Sequence, residues 1–139
     1  MRTTGDVVLD ASAAVGLLLG GQIGDAVDRA LGPEPAIHVP ELLFVEALSA
    51  LRGNERGGEL PHGRAEQAYE ALRRLPCIRW SHHDELIGRV WELRANVTAY
   101  DATYVALAER LDATLITADR PLASAVRRHT GVVVADLAV

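Results

Sequence analysis

"YDATYVALAERLDATLITADRPLA", residues 100–123, decides the fold. Its apolar and small residues predict a helix over 101–111, and TLITA (114–118) that follows is a β-branched, buried strand. Acids stand at both ends of this apolar unit: Asp101 opens the helix, and Asp119 follows the strand. A second helix from about 120 to 129 and a last strand over 132–135 (VVVA) continue the alternation.

Working back toward the N-terminus, the same alternation recurs. VVLD (7–10) reads as a strand ending in Asp10, and ASAAVGLLLG after it as a helix stopped by Gly20-Gly21. AVDRAL (26–31) is helical up to Gly32-Pro33, and AIHVP (36–40) is a second strand closed by Pro40. Residues 41–52 predict an amphipathic helix with Leu43, Phe44, Ala47, Leu48, Ala50 and Leu51 on its apolar arc and Glu46 at the border. Glycines and Pro61 mark 53–63 as a loop. Helices over 64–74 and 83–94 enclose a short strand at 77–80. Strands alternating with helices predict one α/β domain over 1–139: a parallel sheet of about five strands, covered by helices on both faces.

Composition narrows the function. The chain has 139 residues, nearly half of them apolar and few aromatic, so the expected core is Ala, Val and Leu, with Trp80 and Trp91 as its large rings. No run reaches the roughly 18–20 apolar residues of a membrane span, and no signal-like segment opens the chain, which predicts a cytoplasmic protein. Cys77, the single cysteine, reads as a small hydrophobe. All 14 basic residues are arginine. Without lysine there is no Walker-A phosphate loop and no Schiff-base enzyme. A net charge of −5 argues against a simple nucleic-acid coat, although acids neutralised by divalent cations escape that objection.

Ligands of open α/β sheets bind beyond the carboxyl ends of the strands, where Asp10 and Asp119 fall. Asp101 and Glu46 would have to reach the same place from their helices. Carboxylates about 5 Å apart repel by roughly 3 kcal/mol at an effective dielectric near 20, so four together call for hard divalent cations, Mg²⁺ or Mn²⁺. The matching chemistry is phosphodiester hydrolysis by a metal-activated water, with Asp119 or Glu46 orienting that water.

Each acid alone has an ordinary explanation. Asp10, Asp101 and Asp119 could be helix caps, and Glu46 simple surface. His82-His83 reads as a solvated helix start, Arg73-Arg74 and Arg127-Arg128 as solvated faces, and Tyr100 and Tyr104 as packing residues. A small phosphatase using Asp10 as nucleophile fits poorly, because DAS lacks a second aspartate two residues on.

VVLDAS, PELLFVEALSALR and AYDATYVALAERLDATLITAD together, in this order and over nearly the whole chain, resemble the PIN-domain ribonucleases, and closely the VapC-type toxins of toxin-antitoxin pairs. The resemblance implies a three-layer PIN-like fold and Asp10, Glu46, Asp101 and Asp119 as the catalytic, Mg²⁺- or Mn²⁺-binding acids. It also implies supporting roles for Ser12 and Thr117, where a water or phosphate is held. Implied partners are RNA, a second copy in a homodimer, and a cognate VapB-type antitoxin whose C-terminal segment fills the groove. Arg52 and Arg56 are the candidate RNA contacts. A catalytically idle PIN-like module that binds RNA or a partner is the competing expectation.

Overall fold

The computed structural model describes residues 5–135 and 137. Its sheet is built from β1 (Asp6–Leu9), β2 (Ala36–Pro40), β3 (Ile78–Trp80) and β4 (Thr114–Ile116), all parallel, in the order β3-β2-β1-β4. β1, β2 and β4 are buried over most of their length, which is why they read as continuous apolar runs, whereas β3, at the sheet edge, leaves Ile78 and Arg79 exposed. Between β1 and β2 lie α1 (Ala11–Leu19) and α2 (Gly21–Leu31); between β2 and β3, α3 (Leu42–Arg56) and α4 (His62–Arg73). α5 (Asp84–Glu92) and α6 (Ala99–Leu111) lead into β4, and α7 (Arg120–His129) follows it. α1 to α4 pack on one another and on the sheet, while α6 covers β1, β2 and β4 and contacts α5, giving three layers.

α6 is the central helix. Residues 102–108 are all buried, so its apolar surface is needed all round. Arg89 holds it to α5 through a two-pronged pair with Glu109 (2.6 and 3.0 Å). A helix leading into a parallel strand runs antiparallel to it, so the start of α6 lies at the carboxyl edge of the sheet, together with the ends of β1, β2 and β4. That topology carries Asp101 to the side where Asp10 and Asp119 already stand.

A chain of side chains ties three strands together. Trp80 Nε1 donates to His38 Nδ1 (3.0 Å), and since an indole can only donate, His38 must carry its proton on Nε2, which donates to Asp6 (2.9 Å). β3, β2 and β1 are thereby linked across the ladder.

Several expectations are revised. VVVA does not form a full fifth strand: Val134 makes one parallel bridge to Leu115, with bonds from Leu115 N to Val133 O and from Ala135 N to Leu115 O. β4 stops at Ile116 and not at 118, because the amides of Ala118 and Asp119 go to side-chain hydroxyls, and this leaves little edge to pair with. Gly20 ends α1 as expected, but the next helix begins at Gly21 and not at 26; both glycines take positive φ (77°) and turn α1 directly into α2. The two helices meet at glycines, since a Cβ on Gly24 would lie 2.7 Å from Gly16 O. The loop expected over 53–63 shrinks, with α3 running through Gly53 to Arg56. Trp91 is 65% exposed and stacked under Arg94, Trp80 is half-buried, and the large ring in the core is Tyr104. Cys77 is partly buried against the core, and burial raises its thiol.

Candidate active site

Asp10 directly follows β1 and caps α1, its carboxylate accepting from Ala13 N (2.9 Å). It is only 4% exposed. Ser12 Oγ donates to its Oδ1 (2.7 Å) and Thr117 Oγ1 to its Oδ2. Each hydroxyl works in both directions: Ser12 Oγ accepts from Ala118 N (3.0 Å) and Thr117 Oγ1 from Asp119 N (3.0 Å). The two hydroxyls also lie 3.3 Å from each other, so Ser12 and Thr117 form one hydrogen-bonded group around Asp10. Burial pushes the Asp10 carboxyl above its ordinary value; the bonds from Thr117, Ala13 and Ser12 oppose this, and the charge of Asp119 adds to it.

Thr117→Val keeps the shape and deletes one of these donors. An acceptor left wanting in a buried site costs about 1–3 kcal/mol, so the variant should unfold at lower denaturant concentration with an unchanged slope. An unaltered midpoint would mean that the Thr117 bond contributes nothing.

Asp119 caps α7, Oδ1 accepting from Leu122 N (3.0 Å), so that Oδ2 takes no part in the cap bond. Asp101 sits in the first turn of α6, whose cap is Thr98, not Asp101 (3.1 Å). Asp101 and Asp119 line one open depression of ≈ 450 Å³ with Thr98 and Leu122. Burial raises the Asp101 carboxyl first, then repulsion from Asp119, Asp10 and Glu46 in turn. The four acids therefore share one electrostatic neighbourhood, although capping explains part of Asp10 and Asp119.

Glu46 lies in the second turn of α3, half-buried, and accepts from the hydroxyl of Tyr104 (2.5 Å). Its depression is otherwise largely apolar, with Leu42, Val45, Ala50 and Tyr100. Tyr104 is a residue that the sequence reading placed only in packing. Its sole local signal is that it stands three residues after Asp101, on the same helix face. Tyr100, expected to pack, is 62% exposed.

The remaining candidates lie apart. Arg52 and Arg56 are exposed, roughly 9 and 15 Å along α3 from Glu46, and Arg52 is turned about 120° from it. His83 caps α5 by accepting from Leu86 N (3.4 Å), as expected of a helix start. Arg73 pairs with Glu70, and Arg128 bonds Ser124.

The donor set fits a hard cation: carboxylate oxygens, with no cysteine or histidine among them, suit Mg²⁺ or Mn²⁺ over zinc. Among the described residues, no three His, Cys, Asp or Glu side chains are gathered into a ready-made cage for one ion. A cation of the Mg²⁺ type, which keeps several waters and takes one or two carboxylates, suits such an open arrangement.

Known proteins share the family and the fold of this chain. The PIN domain family matches residues 7–127. Ribonuclease VapC1 of Mycobacterium tuberculosis (strain ATCC 25618 / H37Rv) is 42% identical over 120 residues, 86% of this chain and 90% of its own. The crystal structure of Mycobacterium tuberculosis VapC20, a sarcin-ricin loop cleaving toxin, superposes with a TM-score of 0.64 at 20% identity, over 86% of this chain and 94% of that one. A toxin-antitoxin complex from Klebsiella pneumoniae gives 0.60 at 17% identity, over 94% and 97%. These two likenesses are of fold. With the family match across most of its length and a curated relative at 42% identity, this chain belongs to the PIN domain family, on its VapC branch.

Proposed function

We propose that the chain is a metal-dependent endoribonuclease, the toxin of a toxin-antitoxin pair. One observation carries the reading: Asp10 after β1, Asp119 after β4 and Asp101 at the start of α6 come from separate elements to one edge of the sheet, and Asp101 and Asp119 line one depression there. Caps and surface charge do not require such a convergence. Mg²⁺ or Mn²⁺ held by Asp10, Glu46, Asp101 and Asp119 would supply an acidified water and a counter-charge for the leaving oxygen.

The chain's own residues do the remaining work. Ser12, Thr117 and Ala13 N hold the Asp10 carboxylate in one orientation. Asp119, with Oδ2 uncommitted to its cap, accepts a hydrogen bond from the attacking water; Glu46 is the other carboxylate able to do so. A bond forms from the water oxygen to phosphorus, the bond to the ribose 3′ oxygen breaks, and that oxygen takes up a proton. Products end in 5′-phosphate and 3′-hydroxyl.

The relative's name, Ribonuclease VapC1, supports the substrate class, and the Klebsiella toxin-antitoxin complex supports an antitoxin partner, which the proposal takes to be of VapB type. Exposed Val45, Leu48, Ile87 and Trp91 are the kind of surface that an antitoxin segment or a second copy in a homodimer covers. Among the described residues no helix is long and apolar enough to cross a membrane. The proposal takes residues 1–139 as one domain acting in the cytoplasm. Arg52 and Arg56 would contact RNA at nucleotides beyond the scissile bond.

Incubating the purified chain with total RNA and Mg²⁺ or Mn²⁺, then mapping the ends, tests the reading. Cuts with 5′-phosphates that EDTA abolishes are expected, as is growth arrest on expression that a co-expressed antitoxin relieves. Ends in 2′,3′-cyclic phosphate would rule out water attack. Intact RNA under all conditions would favour the idle binding module.

A further inference from the structure

We propose that Tyr104 is a positioning residue that fixes Glu46 for metal binding; the inference rests on the metal-site reading above. The geometry is specific. Tyr104 is 1% exposed and packed in the core, so its ring has no freedom to follow Glu46. Its hydroxyl donates to Glu46 Oε1 at 2.5 Å, and an ionised carboxylate can only accept. Glu46 projects from a helix surface through several rotatable bonds and is half-buried, so without an anchor it would spread over many rotamers, at an ordering cost of up to ~2 kcal/mol on each binding event. Anchoring Oε1 leaves Oε2 as the oxygen to meet a cation.

α6 thus delivers two things to one edge of the sheet: the carboxylate of Asp101 and, three residues on, the hydroxyl that holds a carboxylate of α3. A rigid donor in the core and a mobile carboxylate at the rim are the arrangement by which a supporting residue orients a ligand.

Titrating Mn²⁺ into the purified full-length chain by calorimetry tests this without reading activity. Tyr104→Phe keeps the ring and should weaken Mn²⁺ binding about 10-fold, the lower end of the range for lost supporting contacts. Glu46→Ala should weaken it at least as much, and Tyr104→Phe added to Glu46→Ala should change it less than twofold further. Glu46→Asp, too short to reach the phenol from a partly exposed position that does not threaten the fold, should mimic Tyr104→Phe. Wild-type affinity in Tyr104→Phe, or an equal loss in both Glu46 backgrounds, overturns the inference while leaving the metal site standing. Should Glu46→Ala and Asp101→Asn both bind Mn²⁺ as the wild type does, the metal reading itself falls, and the role of Tyr104 with it.

Discussion

Asp101→Asn should lose about a thousandfold in RNA cleavage, ~4 kcal/mol of transition-state stabilisation, while the metal-free protein melts at or slightly above the wild-type temperature. The first half of that expectation is electrostatic. A carboxylate about 5 Å from a divalent ion contributes roughly 7 kcal/mol at an effective dielectric near 20, of which desolvation returns part. Asparagine keeps the shape and deletes the charge. The second half follows from where Asp101 sits. The cap of α6 is Thr98, so substituting Asp101 does not uncap the helix. What is lost is a favourable charge in the first turn, about 0.3–1 kcal/mol; what is relieved is repulsion from Asp119, Asp10 and Glu46.

Asp10→Asn makes the contrasting control. Its carboxylate accepts from Ser12, Ala13 and Thr117 in a buried site, and an amide cannot accept on both sides. That variant should lose both cleavage and stability. A fluorogenic RNA assay and a thermal melt on each variant separate the two roles, and full activity in Asp101→Asn would end the nuclease proposal.

The parts of this molecule legible in its sequence are those governed by local chemistry. α6 and β4 were evident because a helix and a strand buried on all sides leave no polar stripe. Asp10 and Asp119 were evident because they punctuate strands. What escaped was set by distant partners. VVVA has the composition of a strand, but a ladder needs an edge of equal length, and β4 offers three residues before its amides turn to Thr117 and Ser12. Gly20-Gly21 does stop α1, but the start of α2 at Gly21 escaped, because it depends on Gly16 and Gly24, one on each flanking helix, letting α1 and α2 touch backbone to backbone. Leu48 and Ala50 extend the apolar arc of α3 where the core does not use it, and both are exposed. Tyr104 looked like any core ring, because the acid its hydroxyl meets lies 58 positions away in the chain.

Stability of the metal-free chain should fall as pH rises through the mildly acidic range, and divalent metal should reverse the trend. Asp10 and Asp101 both hold protons to higher pH when folded than their ordinary value of 3.8. Between that value and the raised folded values, the folded state binds more protons than the unfolded one. Stability is therefore highest below this window, declines across it, and above it is reduced by the full amount. His62, raised by its pairing with Glu55, adds a solvent-screened trend of the same sign nearer the ordinary histidine range. Comparing wild type with Asp101→Asn across pH isolates the Asp101 share, since only the wild type carries that titration. Mn²⁺ competes with the same protons, so its affinity should rise with pH. At a hundredfold excess over Kd it should add ~2.7 kcal/mol, roughly 8–10 °C in Tm for a chain of this length. Because the acids repel most strongly when all are ionised, the gain should be greatest at neutral pH and vanish in acid; a Tm indifferent to Mn²⁺ at pH near 7 would mean that the carboxylates are held apart by the fold and need no cation.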